Sequence, residues 1–255
     1  MGAILRFMLV PVFLIWTLIA WNIASAEEDL LPPDAPHSLK VVAQTEAHIE
    51  AKIQLATRAA EVLDEIMRIP DQGIPVDLLS RAECVAVFPS TLKAGFVVGA
   101  QYGYGLMSCR QSETDHWGAP AFFTLAGGSV GMQIGAKATD LILLGMNEDA
   151  RKELLDPQFT LGAGLGVSAG PVGRDASAAT DASLQASLLS YSHSEGLFAG
   201  IDLGGAVLNY DQEATREIYG HAWDVKAVLS EQQETAPVLQ AFPQTLQKYA
   251  PLRRS

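Results

Sequence analysis

"LAGGSVGMQIGAK", residues 125–137, can be read in two ways that lead to different proteins. Gly127-Gly128-Ser129-Val130-Gly131 satisfies G-x-S-x-G, the strand–turn–helix elbow that presents a nucleophilic serine. The same letters also alternate: Val130, Met132, Ile134 and Ala136 hold even positions, and Gly127, Ser129, Gly131, Gln133 and Gly135 hold odd ones. That is the period of a strand with one apolar face and one nearly bare face.

The neighbouring sequence favours the strand. "KAGFVVGAQYGYGLM" (93–107), "TLGAGLGVSAGP" (160–171) and "GLFAGIDLGG" (196–205) repeat the alternation, with glycines on one parity and larger side chains on the other. Glycine weakens a strand unless the sheet bends sharply or something approaches closely. The expectation is an α+β fold: a curved, mostly antiparallel glycine-rich sheet or partial barrel, its glycine face packed by a helix or shaped into a groove. An elbow would need a helix where Gly131 and Gly135 stand, and each disfavours one by about 1 kcal/mol relative to Ala. Asp140 or Asp156 could serve as the acid and His193 or His221 as the base, but no oxyanion segment or β/α alternation precedes Ser129. A serine hydrolase using Ser129 is the least favoured alternative. The preferred reading is a chain without catalytic residues.

Other chemistries lack their patterns. Gly131-x-x-x-Gly135-Ala136-Lys137 has the wrong spacing for a phosphate loop, and Gly162, Gly164 and Gly166 do not complete a dinucleotide fingerprint. The five histidines are scattered, so no metal or cofactor is expected. A formal net charge of −12 without a basic cluster argues against nucleic acid. Aromatic content of 7% and helical ends argue against an outer-membrane barrel.

Helices frame the strands. Ile49, Ile53, Ala56, Ala60, Leu63 and Met67 form one face of an amphipathic helix from about Ser38 to Ile69, stopped by Pro70 and Gly73. Its other face carries Glu46, Glu50, Glu61, Asp64 and Glu65 with Lys52, Arg58 and Arg68. Ile74-Pro75 opens a short helix to about Ala82. Asn147 and Asp211 cap two more, the second running to about Tyr219 and followed by a helical stretch over 221–230. Residues 231–255, with Pro237, Pro243 and Pro251, are expected to form a mobile C-terminal tail with a short helix around Thr245. At the other end, the apolar run Phe7–Trp21 and Ala24-Ser25-Ala26 predict a signal peptide over 1–26, with an uncleaved anchor as the alternative, followed by a linker over 27–36. Export to a periplasmic or extracellular site would permit a disulfide between Cys84 and Cys109; two buried free thiols are the alternative.

Together the stretches "IPVDLLSRAECVAVFPSTLKAGFVVGAQYGYGLM" (74–107), "WGAPAFFTLAGGSVGMQIGAKATDLILL" (117–144), "GPVGRDASA" (170–178) and "SYSHSEGLFAGIDLGG" (190–205) resemble the SYLF domain. The resemblance spans 37–230. It implies a lipid-binding module without catalytic residues, binding phosphoinositides or other anionic phospholipids through an amphipathic helix and basic residues, with actin a ligand of some members. Gly128, Ser129, Gly131, Gly135, Gly170, Pro171, Gly173, Tyr191, Gly196 and Gly200 fall in its motif segments. Lys93, Lys137 and Arg174, beside those segments, are the candidate lipid contacts. His193 and Glu195 stand where many members are basic, and Gly204 where they are often acidic. For an exported chain the expected partner is membrane phospholipid or an envelope protein, and not actin.

Overall fold

The computed structural model describes residues 37–70, 73–164, 166–172, 186–194, 196–230 and 233–251. The expected signal peptide and linker lie outside the described residues. By internal contacts the chain divides at His48, and Ile49–Ser255 forms a unit of its own.

Helix α1 runs from His37 to Met67, close to the bounds expected from its apolar stripe. Within the larger unit, Ala56, Ala59, Val62, Leu63 and Ile66 are fully buried, the spacing of one helical face. Pro75 opens α2, Val76–Arg81, where its fixed φ and missing N–H do no harm.

Two long strands follow, β1 (Cys84–Cys109) and β2 (Ala121–Gly145), paired antiparallel from Cys84↔Gly145 to Met107↔Ala121. The ribbon they form folds back so that the two ends of β1 meet. Cys84 and Cys109 are joined by a disulfide with Cα atoms 4.0 Å apart. The Arg110 N–H donates to the Glu83 carbonyl at 2.7 Å. Glycine permits the fold. A Cβ on Gly105 would lie 2.4 Å from the Val87 carbonyl oxygen and 2.5 Å from the Phe88 ring, and one on Gly103 would lie 2.4 Å from Thr91 Oγ1. The bare face is therefore filled by the opening half of the same strand.

The remaining strands extend β2 at its ends. They are β3 (Gln158–Thr160), β4 (Val167–Ala169), β5 (Leu188–Ser194), β6 (Leu197–Gly200) and β7 (Val207–Tyr210). The sheet order is β3-β7-β2-β5-β4, with β1 on β2 and β6 on β5, and only β4–β5 is parallel. One face, with Val85, Val87, Leu106, Phe122, Ile142 and Leu144, packs under α1, α2 and the C-terminal helix. The other, with Phe88, Met107, Phe123, Leu125, Leu141 and Leu143, lines the inside of the curl. Helix α3 (Glu148–Leu154) and helix α5 (Val225–Ser230) cover that second core. Helix α4 (Gln212–Tyr219) adds Ala214 to the first. Asn147 and Asp211 accept from the N–H groups of Ala150 and Ala214, the capping read from the sequence.

Two expectations are corrected. Among the described residues, the alternating runs 160–171 and 196–205 are strand only at Thr160, 167–169 and 197–200. Gly162 and Gly205, at φ +82° and +83°, turn the chain instead of continuing it. The tail is packed and not mobile: Pro237–Leu239 forms a 3₁₀ turn, and the helix expected around Thr245 is α6, Ala241–Tyr249, which buries Phe242, Pro243 and Leu246. Arg110 and Trp117 hold its end. The guanidinium donates to the carbonyls of Ala82, Ser80 and Ala250 at 3.1, 3.2 and 3.0 Å and stacks on the Trp117 ring, whose Nε1–H donates to Ala250 at 3.0 Å.

Candidate functional site

The candidate cations Lys93 and Lys137 are brought together by a bulge. Between Phe88 and Thr91 the register with β2 slips, Ser90 adopts φ 50°, and the parity of β1 reverses. Thr91 turns toward the inside of the curl, against Gly103, and the alternation of side chains carries Lys93 to the same face. There Lys93 stands directly opposite Lys137 on β2, and both are partly buried. Like charges at opposed positions repel. Burial, and secondly the Lys137 charge, hold the Lys93 ammonium below its usual range. An anion between the two would relieve both effects.

The surroundings suit an anion. Between Glu83 and Glu113, and between Asp115 and Asp140, the sequence has no carboxylate, although the chain carries 29 acidic residues. The two strands of the ribbon thus carry one carboxylate, Asp140, in a chain of net charge −12. On the opposite face Leu92 is 43% exposed, and it pairs with the exposed Ala138.

Asp140 anchors the bulge. Its Oδ1 accepts from the Ser90 N–H at 2.8 Å, its Oδ2 lies 3.4 Å from His193 Nδ1, and the Arg58 guanidinium of α1 stands 3.9 Å away. The sequence offered Asp140 and His193 as partners for Ser129, and His193 also as a histidine where many members are basic. Their pairing on adjacent strands, Asp140↔His193, shows that they hold β1, β2, β5 and α1 around the bulge. Ser129 lies eleven residues away along β2, paired with Gly99 inside continuous strand, so the helix that an elbow requires does not follow it.

The motif glycines separate into kinds. Gly170 is pressed by Tyr191, whose ring atoms would come within 2.0 Å of a Cβ there, and Gly200 by the Gly170 carbonyl at 2.1 Å. Gly196, at φ +79°, makes the β5–β6 turn, whereas Gly128 faces open space. Pro171 follows Gly170 just beyond β4. Gly131 and Gly135 pair with Val97 and Gly95 on β1. Arg174 and Gly173 lie outside the described residues. Tyr191 is fully buried and stacked on Phe198, and among the described residues its hydroxyl has no hydrogen-bond partner. Among the described residues no three His, Cys, Asp or Glu side chains form a metal-ligand group, and no helix is long and apolar enough to cross a membrane.

Residues 126–249 match the Ysc84 family, described as "Las17-binding protein actin regulator". LAS seventeen-binding protein 3 of Saccharomyces cerevisiae is 36% identical over 183 residues, 71% of this chain and 39% of that protein. Protein YSC84 of the same yeast is 34% identical over 183 residues, 71% of this chain and 39% of that protein. The human SH3 domain-containing YSC84-like protein 1 is 34% identical over 171 residues, 64% of this chain and 49% of that protein. The chain thus spans between 39% and 49% of the length of these relatives. Their names are those of binding and regulatory proteins, not of enzymes.

These similarities overturn two expectations. Excluding actin fails, because the matching family is itself described as an actin regulator. The expectation of a periplasmic or extracellular protein fails as well. The chain shares most of its length with yeast and mammalian proteins named for Las17 binding or an SH3 domain. The hydropathy pattern that suggested export is confined to residues 1–26, outside the described residues, and the domain itself carries the likeness.

Proposed function

The chain belongs to the SYLF, or Ysc84, family, and from that premise we propose that it is a non-catalytic module that binds an anionic phospholipid surface. The observation that carries this reading is the opposed Lys93–Lys137 pair in a ribbon whose single carboxylate, Asp140, is turned to the Ser90 N–H, His193 and Arg58. Each lysine near an anionic bilayer contributes about 1 kcal/mol, and the ribbon brings the two together on one face. Co-sedimentation of the full chain with phosphatidylcholine vesicles, with and without phosphatidic acid, tests it. Binding that rises with the anionic fraction supports the proposal, and recovery in the supernatant at every composition refutes it.

The relatives' names favour a second reading, a protein ligand within the actin-regulatory machinery. Co-sedimentation with filamentous actin, and capture by a Las17-type protein, distinguish it from lipid binding. The two readings are compatible, since a lipid-bound module can present a separate surface to protein.

A further inference from the structure

We infer that the inner face of the curl, around Lys93 and Lys137, binds a terminal phosphate group, and that Gln101 and Thr139 select it. The inference rests on the lipid-binding reading above and names the chemical group that this site takes.

The inside of the curl changes character in layers. Where β1 folds onto itself, Gly105 lies against Val87 and Phe88, and Gly103 lies against Thr91. Side chains alternate along a strand, so the next inward positions on the two arms are Gln101 and Lys93. Strand β2 adds the residues in register with each layer: Phe123 and Leu141, then Leu125 and Thr139, then Gly127 and Lys137. The lining thus passes from phenylalanine and leucine, through threonine, to lysine and glutamine.

Two of these polar side chains are nearly buried and serve no bond within the fold. Gln101 is 5% exposed and Thr139 is 6% exposed. Among the described residues, neither the Gln101 amide nor the Thr139 hydroxyl makes a hydrogen bond. The Thr91 hydroxyl beside them, by contrast, donates to the Phe88 carbonyl at 3.2 Å. Nor are the two groups sealed in. Among the described residues, the Tyr191 hydroxyl alone is both shut off from solvent and unpartnered. An amide and a hydroxyl held this deep are costly unless solvent or a ligand meets them.

The donors suit a phosphate monoester. Two ammonium groups, an amide NH₂ and a hydroxyl share one face, while Asp140 has the other parity and turns to the Ser90 N–H, His193 and Arg58. A phosphate monoester carries roughly −1.5 to −2 charges at neutral pH and three strong acceptor oxygens. It can therefore neutralise both lysines and still accept from the neutral donors. It also favours the charged form of Lys93, whose ammonium is held below its usual range by burial and secondly by Lys137. A phosphodiester has a single charge and ester groups on both sides. Because Lys93 and Lys137 are partly buried and Gln101 and Thr139 almost wholly so, a phosphate reaches these donors only where it ends its molecule. A lipid headgroup and a soluble phosphate share that chemistry.

The full chain is compared with its Gln101→Leu, Thr139→Val double variant, which keeps the charge and nearly keeps the volume. The unfolding temperature should hold or rise, because the groups removed are unpartnered. Affinity is measured on phosphatidylcholine vesicles containing equal fractions of phosphatidic acid, with its terminal phosphate, or of phosphatidylglycerol, a diester. Inorganic phosphate alone is titrated by calorimetry as the soluble source. The unmodified chain is expected to prefer phosphatidic acid. The double variant should lose about 10-fold or more on phosphatidic acid and nothing on phosphatidylglycerol. Thr139→Ser, which keeps the hydroxyl, should retain the preference. If inorganic phosphate binds, the double variant does not bind it, and no vesicle recruits the chain, the phosphate site stands and the lipid reading falls. If the chain binds both vesicles equally and the double variant matches it, the inference is overturned and lipid binding stands. If neither phosphate nor any vesicle binds, both fall.

Discussion

Replacing Gly105 by Ala adds one methyl group at the place where the ribbon folds onto itself. Its Cβ would lie 2.4 Å from the Val87 carbonyl oxygen and 2.5 and 2.7 Å from two atoms of the Phe88 ring. Neither neighbour can swing aside: one is backbone, and the other side chain is fully buried. Relief requires the two halves of β1 to separate by about 1 Å, and overpacking of this kind costs about 1–3 kcal/mol. The loss of glycine's freedom in the unfolded chain offsets this by at most about 1 kcal/mol. Gly128→Ala is the matched control, because that position has nothing within 4 Å and no positive φ. It should be neutral or stabilise by up to about 1 kcal/mol. Thermal unfolding, followed by circular dichroism, separates the two. Gly105→Ala is expected to lower the midpoint by several degrees, at roughly 2–4 °C per kcal/mol for a domain of this size, and Gly128→Ala to leave it unchanged or raise it slightly. Equal effects would refute the claim that the glycines of β1 serve close approach of the strand to itself.

Further outcomes follow from the same packing. Tyr191→Phe removes a buried hydroxyl that has no partner among the described residues, so stability should hold or rise by about 1 kcal/mol in chemical denaturation, where loss of a bonded hydroxyl would lower it. The Cys84→Ser, Cys109→Ser chain loses a link across 25 residues, worth about 3.5 kcal/mol in the chain-entropy description, and its urea midpoint should fall accordingly. Asp64 accepts from Lys248 Nζ at 2.7 Å and the Tyr249 hydroxyl at 2.6 Å, which hold its pKa below the ordinary 3.8. The depressed pKa means that this clamp on α6 contributes fully above the ordinary carboxylate value and is lost as pH falls through the lower, folded one. The stability difference between the wild-type chain and Asp64→Asn should therefore be present at neutral pH and vanish on acidification below that range.

The sequence announced the parts of this fold that depend on local pattern. The apolar stripe of α1, the caps Asn147 and Asp211 and the alternation along β1 and β2 each depend on neighbours in the chain. Glycine was harder to interpret, because one letter serves two purposes. At Gly103 and Gly105 it admits another stretch of backbone, whereas at Gly162 and Gly205 its positive φ ends a strand that the alternation had continued. The prolines of the C-terminus suggested a loose tail, yet Pro237 opens a 3₁₀ turn, Pro243 sits in the first turn of α6 and Pro251 follows its end, all positions where proline is tolerated. Lys93 and Lys137 were individually visible as cations near the motif segments. Their opposition was not, because it depends on the parity reversal at Ser90, and that reversal is held by Asp140 from fifty residues away. Arg110 was hidden for the same reason: its carbonyl acceptors come from both ends of the domain.

The most direct test of the account is the vesicle affinity of the Lys93→Gln, Lys137→Gln double variant against the wild-type chain, measured on phosphatidylcholine vesicles containing phosphatidic acid. Two lysines at about 1 kcal/mol each predict a loss of roughly 30-fold, shrinking as salt is raised. An affinity unchanged by the double substitution would contradict the assignment of this pair as the lipid contact.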